Sequence, residues 1–594
     1  MPGGDTPPGR EPRTGFRALT DLQPRLKGHS VNPSVRVFAV VLCFSLAALC
    51  AAPSASAQAL PAGVSRVQSV EGIDEYRLAN GLQVLLIPDD SKPTTTVNLT
   101  YHVGSRHENY GETGMAHLLE HLLFKGSPNH PKVWAEFTRR GLAANGSTWF
   151  DRTNYTASFS ANDDNLRWYL GWQADSMTHS YIARRDLDTE MTVVRNEMEM
   201  GENDPDRILF SKTLAAMYQW HNYGKDTIGA RTDVENVDIP RLQAFYRQYY
   251  QPDNATLIVS GKFPRQSILP WIAQTYGAIR KPTRVLPVLY TLDPVQDGER
   301  SITLRRTGGV PVLYAAYHVP PGSHPDYAAV ELLDLIMGEA PAGRLHKRLT
   351  EKGLAATTFA FSMGLAEPGF ALFGAQLGPD QDVDAARSEL LATLESVARE
   401  PITAEELERA KTKWLKGWDL AFTNPETVGI SLSESVAQGD WRLFFLTRDR
   451  VRDATLADVQ RVAEQSLLTS NRTLGVYLPS DKPQRAPVPA RVDVAAELKG
   501  FKPQLAAAAV EAFEATPAHI EQRTQRFSVG GVKAALLPKG TRGAAVHATL
   551  TLRFGNEKTL FGQTEVAETV AEIAKIPDEL VPELQQASLI VSNK

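Results

Sequence analysis

His117-Leu118-Leu119-Glu120-His121 places two imidazoles and a carboxylate at positions i, i+3 and i+4, which share one face of a helix. Two histidines one turn apart can grip a single zinc ion, and the carboxylate beside them can reach a water on that ion. Met115, Leu118, Leu119, Leu122 and Leu123 recur at the spacing of the opposite face. One side of the helix is therefore suited to a core and the other to a metal. A catalytic zinc also needs a third protein ligand and an open position. Glu197 is the best candidate, on a helix where Glu190 lies seven residues earlier and on the same face. Leu187, Met191, Val194 and Met198 mark that helix's buried side, whereas Glu199 points about 200° away from Glu197. Taken alone, the same residues also fit a solvated polar face and a pair of exposed helix charges.

The elements that must position this set follow from periodicity. Residues 76–88 read as two strands around an Asn80-Gly81 turn, and 96–103 alternate as a third. A helix is predicted from Gly114, then two strands over 142–160, helices over 165–179 and 185–200, a strand over 256–260 and a helix over 265–276. The mixed order makes the class α+β. A Pro- and charge-rich stretch at 281–300 reads as a linker, after which 301–318 supply strands and 327–337 a helix. Residues 479–503 hold five prolines and read as a spacer. Beyond it, 531–538 (GVKAALLP) line up with 81–88 (GLQVLLIP), and Gly555 and Gly562 with Gly104 and Gly111, as the start of a repeat. In that alignment His117, Glu120 and His121 correspond to Glu568, Ala571 and Glu572, and the 327–338 helix also lacks histidine. Only the first domain is expected to host a metal.

Composition narrows the function further. The chain has 594 residues, 42% hydrophobic and 22% charged, as in a globular protein of several domains. Its 63 Lys+Arg against 68 Asp+Glu give no electrostatic reason to expect nucleic acid as a partner. Two cysteines, Cys43 and Cys50, exclude a disulfide framework and a Cys-rich zinc module. Both fall in an N-terminal run that is basic at Arg36, apolar over 37–52 and small over 54–57, the order of a signal peptide cut after Ala57. Loss of that leader, with six basic and three acidic residues, takes the formal charge from -5 to -8. The product is expected to be a cysteine-free secreted protein, periplasmic in a cell with two membranes, with no stable membrane span.

Gly104-Ser105-Arg106, Gly111-Glu112-Thr113-Gly114 and 115–127 (MAHLLEHLLFKGS), followed at a matching spacing by Glu190 and Glu197, resemble the inverted-motif zinc metallopeptidases that include pitrilysin, insulysin and the mitochondrial processing peptidases. Gly343-Arg344-Leu345 and Glu351-Lys352-Gly353-Leu354 extend the resemblance into the second domain. It implies two related mixed α/β sandwich-type domains forming one half of a clamshell, plus the start of a third. The expected boundaries are a signal peptide with a long basic region at 1–57, a zinc-binding catalytic domain at 58–280, a related domain without metal at 300–485, a linker at 486–515 and an incomplete third domain at 516–594.

Carried over residue by residue, the resemblance implies that His117, His121 and Glu197 bind one zinc ion per chain, that Glu120 is the general base, and that Glu190 orients a ligand. Asn145, Gly146 and Ser147 would lie on an edge strand that pairs with an extended peptide substrate, a mode that reads main chain and tolerates many sequences. Ligand protonation would set an acid limit near about pH 6. In active relatives the second half supplies an Arg and Tyr pair for which no position here qualifies. The implied partner is therefore a second half-clamshell subunit or a second copy, and the alternative reading is a non-catalytic peptide-binding subunit.

Overall fold

The computed structural model describes residues 59–502, 510–542, 546–551 and 556–562. The leader at 1–57 and the positions Gly555, Glu568, Ala571 and Glu572 lie outside them. The first sheet has seven strands: β1 (Val64–Val70), β2 (Ile73–Leu78), β3 (Gln83–Pro88), β4 (Thr94–Tyr101), β5 (Ala143–Thr148), β6 (Thr153–Ser160) and β7 (Ala255–Gly261). Their order is β1-β2-β3-β7-β4-β6-β5, with only β3 and β7 paired in parallel. Helices α1 (Met115–Leu123) and α2 (Val133–Arg140) join β4 to β5. Helices α3 (Asp163–His179), α4 (Arg184–Asn203), α5 (Pro205–Met217) and α6 (Ile239–Tyr249) join β6 to β7, and α7 (Ile268–Thr275) follows.

After residues 280–297, which form neither helix nor strand, a second sheet is built from β8 (Arg300–Arg306), β9 (Val312–Val319), β10 (Thr357–Met363), β11 (Gly369–Gln376) and β12 (Arg472–Pro479). Its order is β10-β11-β9-β12-β8, with β12 and β8 parallel. Helix α8 (Tyr327–Gly338) leads to β10, and α9 (Val383–Leu394), α10 (Ala404–Phe422), α11 (Pro425–Ala437), α12 (Leu443–Asp453) and α13 (Leu456–Ser466) join β11 to β12. The two sheets share one topology. Strands β3 to β7 of the first correspond in order, neighbour and direction to β8 to β12 of the second. Helix α8 thus stands where α1 stands in the first sheet.

Both sheets are covered on both faces, so their central strands are apolar almost throughout rather than alternating. In β3, Val84 and Leu86 face a core shared with α1, α3 and α6, while Leu85 and Ile87 face α11 and α12. In β9, Leu313, Ala315 and Tyr317 pack under α8 and α13, while Val312, Tyr314 and Ala316 meet Ile208, Leu209 and Leu214 of α5. The covering helices are exchanged, because α5 from the first set lies on the second sheet and α11 from the second set lies on the first. Each begins with a proline after a side-chain cap, Asp204 or Asn424, which suits the fixed φ and missing donor of proline. Truncating a side chain in either buried layer, such as Leu432→Ala, would cost about 2–5 kcal/mol.

Residues 486–562 belong to a separate compact unit. Among the described residues it holds three short helices (Val494–Glu497, Pro517–Arg523 and Glu557–Leu560) and a hairpin of β13 (Gln525–Val529) and β14 (Val532–Leu536), turned at Gly530-Gly531. Strand β14 thus follows a two-residue turn, as β3 follows Asn80-Gly81.

Candidate metal centre

The helix α1 owes its position to an anchor at its N-terminus and to its buried face. The carboxylate of Glu108 accepts the amides of Gly114 and Ala116, each at 2.8 Å, and satisfies donors that a helix N-terminus leaves free. Burial pushes the Glu108 carboxyl up to about 8 while those amides and Lys225 oppose the shift. Met115, Leu118, Leu119, Leu122 and Leu123 are all buried, so the apolar face predicted from sequence fixes the roll of the helix. His117, Glu120 and His121 therefore project together from the other face.

Helix α4 crosses beside α1 and brings Glu190 and Glu197 to the histidines. His121 Nε2 lies 3.3 Å from His117 Nε2, and Glu197 Oε2 lies 3.5 Å from His117 Nε2 and 3.6 Å from His121 Nε2. Tetrahedral zinc with bonds of about 2.0–2.1 Å separates its ligand atoms by ~3.3 Å. The donor set and its spacing therefore fit zinc, and among the described residues this is the one such group. Glu197 is the open side of the group, its side chain 38% exposed against 16% and 15% for the histidines.

His121 Nδ1 and Glu190 Oε2 are 3.1 Å apart, so a proton on Nδ1 leaves Nε2 free to bind a metal. The second oxygen of Glu190 pairs with Lys125, one helical turn after His121. His117 Nδ1 is buried without a hydrogen-bond partner. Burial, His121 and Arg207 together push the His117 imidazole down to about 3. The direction of the shift favours the neutral ring, the form that binds a metal.

Strand β5 is, among the described residues, one of the two edges of the first sheet and runs past Glu120. Its alternation divides the three predicted substrate residues. Gly146 faces Glu120, with the position of an added Cβ only 2.7 Å from Glu120 Cγ. Ser147 lies on the other side and accepts from Arg152 at 2.9 Å, while the Asn145 side chain accepts the Gly146 amide at 3.0 Å. Thr148, on the Gly146 face, donates its hydroxyl to Glu120 Oε2 at 2.6 Å. Burial raises the Glu120 carboxyl above the usual range, and the Thr148 hydrogen bond opposes it. A carboxyl poised upward beside a metal group suits a base that must also act as an acid.

Thr148, Lys125 and Glu108 were not singled out from sequence. Lys125 could have been found from its i+4 spacing to His121, and Thr148 from its period-two relation to Gly146. Glu108 carries no local signal, since its partners are backbone amides.

Residues 83–231 match the family profile described as insulinase (peptidase family M16), and residues 236–413 match that of the peptidase M16 inactive domain. The chain is 28% identical over 403 residues to the zinc protease PqqE of Helicobacter pylori, covering 66% of this chain and 89% of that protein. It is 26% identical over 434 residues to an uncharacterized zinc protease, YmfH, of Bacillus subtilis, covering 69% and 98%. Among solved structures, a protease from Helicobacter pylori superposes with a TM-score of 0.65 at 27% identity, covering 70% of this chain and 99% of that one. The first half of the periplasmic protease PqqL from Escherichia coli shares the fold, with a TM-score of 0.58 at 19% identity over 70% of this chain and 94% of that one.

Proposed function

The chain belongs to the insulinase family of peptidases, M16, and on that footing we propose that it is a zinc metalloendopeptidase acting on peptides or unfolded segments. One observation carries the reading: the ligand atoms of His117, His121 and Glu197 all lie within 4.8 Å of one another, beside Glu120. A zinc ion held by these three residues would polarise a peptide carbonyl and acidify water. Glu120 accepts the proton of the attacking water and returns it to the leaving amine. Glu190 holds His121 in the tautomer that binds metal, and Lys125 holds Glu190. The free edge of β5 offers its backbone to an extended substrate, which selects for unfolded chain over any one side chain.

Export and action in the periplasm are supported by the basic, apolar, small order of the N-terminal residues. No helix among the described residues is long and apolar enough to cross a membrane. A second half-clamshell subunit, or a second copy, completes the substrate chamber. Support comes from the fold shared with the whole PqqL chain, of which this chain covers 56%. The deciding experiment is cleavage of a quenched fluorescent peptide of about 20 residues by the purified zinc-loaded chain, with Glu120→Gln as control. Turnover by the wild type alone supports a sufficient enzyme. No turnover with one zinc bound per chain favours the non-catalytic, partner-dependent reading.

A further inference from the structure

Beyond His117 the centre opens into a pocket of about 400 Å³. Phe150, Phe210, Leu214 and Ile228 give it apolar walls, and Arg207 and Lys225 give it positive charge. Its one lining carboxylate, Asp226, is turned back to accept the Ile228 amide at 3.2 Å. Lys225 is partly engaged, with its Nζ 4.2 Å from the centre of the Tyr110 ring. The guanidinium of Arg207 has neither an ion pair nor a hydrogen bond among the described residues.

The chain makes room for that guanidinium. Gly201 lies inside α4, one turn after Glu197, and an added Cβ there would fall 2.8 Å from Arg207 Nε and 3.0 Å from its Cδ. Glycine inside a helix weakens it, and here its missing side chain is the space that Arg207 occupies. The charge is close enough to contribute to holding the His117 imidazole neutral. An unpaired guanidinium in an apolar-walled pocket is a receptor for a carboxylate on a short apolar stem, which it can grip with two parallel hydrogen bonds.

We propose that this pocket selects substrates by a carboxylate seated on Arg207, supplied by an Asp or Glu side chain next to the cleaved bond or by the C-terminus of a short peptide. The inference rests on the peptidase reading above. It is tested by binding, with the zinc-loaded full chain carrying Glu120→Gln and fluorescent peptides of about 12 residues capped at both ends, in which each position in turn is Glu, Gln or Lys. At one position Glu binds about tenfold more tightly than Gln and Lys more weakly than Gln. Arg207→Met removes the Glu preference while zinc stays at one per chain. A matching series with a free C-terminus distinguishes the two sources of the carboxylate. The proposal is overturned if neither an internal Glu nor a free C-terminus tightens binding, or if the preference survives Arg207→Met. Should that variant fail to fold, the Lys peptides decide, since they bind as well as the Gln peptides if no cation lines the pocket. Because binding is read without turnover, a wild type that binds selectively but never cleaves counts against the peptidase reading alone.

Discussion

Gly146 and Glu120 meet through the space that a side chain at residue 146 would fill: a Cβ there would lie 2.7 Å from Glu120 Cγ and 2.9 Å from its Oε1. The strand proposed to receive substrate thus leaves no room for a side chain against the carboxyl proposed to take the water's proton. Gly146→Val is expected to displace Glu120, and peptide cleavage should fall at least about tenfold with zinc content unchanged. Unaltered cleavage by a folded variant would show that the contact does not seat Glu120.

Thr148 holds the same carboxyl from the next position on that face, at 2.6 Å. Thr148→Val removes the donor while keeping the shape, and kcat/KM should drop by about tenfold. Thr148→Ser should restore most of it. If Ser and Val variants behave alike, the hydroxyl is not what orients Glu120.

Glu190 should matter for metal affinity more than for the reaction itself. Loss of a carboxylate that orients a ligating histidine costs about 10–100-fold in affinity, so Glu190→Ala is expected to need that much more free zinc for half occupancy. Competition with a chromogenic chelator reads the value, and wild-type affinity in the variant would remove Glu190 from the role assigned to it.

Helix α8, the counterpart of the metal helix, carries acidic groups of its own. Burial pushes Glu331 up to about 7 and Asp334 up to about 8, and one oxygen of each is buried without a partner. In the folded state both keep protons that the unfolded chain has released, so stability is greatest below about pH 4 on their account and is lost as pH rises towards 8. Asp334→Asn should therefore raise the unfolding temperature at pH 8 by more than at pH 5. An increment independent of pH would show that the carboxyl is ionised in the native protein.

Helix α1, which carries the candidate metal group, was legible because its two faces are written in local spacing: a leucine stripe on one side, His117, Glu120 and His121 on the other. Glu197 and Glu190 could be read for the same reason, being seven apart on one helix, although only the fold shows that their helix crosses α1. Strand β1 (Val64–Val70), strands β10 to β12 and the helices α2, α5, α6 and α9 to α13 carry no individual signal in the sequence. They depend on partners far away in sequence, as Leu209 of α5 does on Tyr314 of β9. Thr148 escaped notice because a threonine in a strand is ordinary, and its significance lies in a carboxyl 28 residues away.

The exchange of α5 and α11 between the two sheets has a mechanical consequence. Helix α4, with Glu190 and Glu197, runs into α5 through Asp204 alone, and the Tyr314 hydroxyl bonds the Asp206 carbonyl at 3.1 Å. From the other side, Asn98 bonds the Gly429 carbonyl at 3.0 Å and Asn154 bonds Ser433 at 2.8 Å. A displacement of the second sheet is therefore expected to reach Glu197, the candidate third ligand, through α5 and Asp204. Residues 59–485 should move as a single jaw with no hinge of its own, and a substitution beneath β12, remote from any zinc, should still be felt as a loosened Glu197.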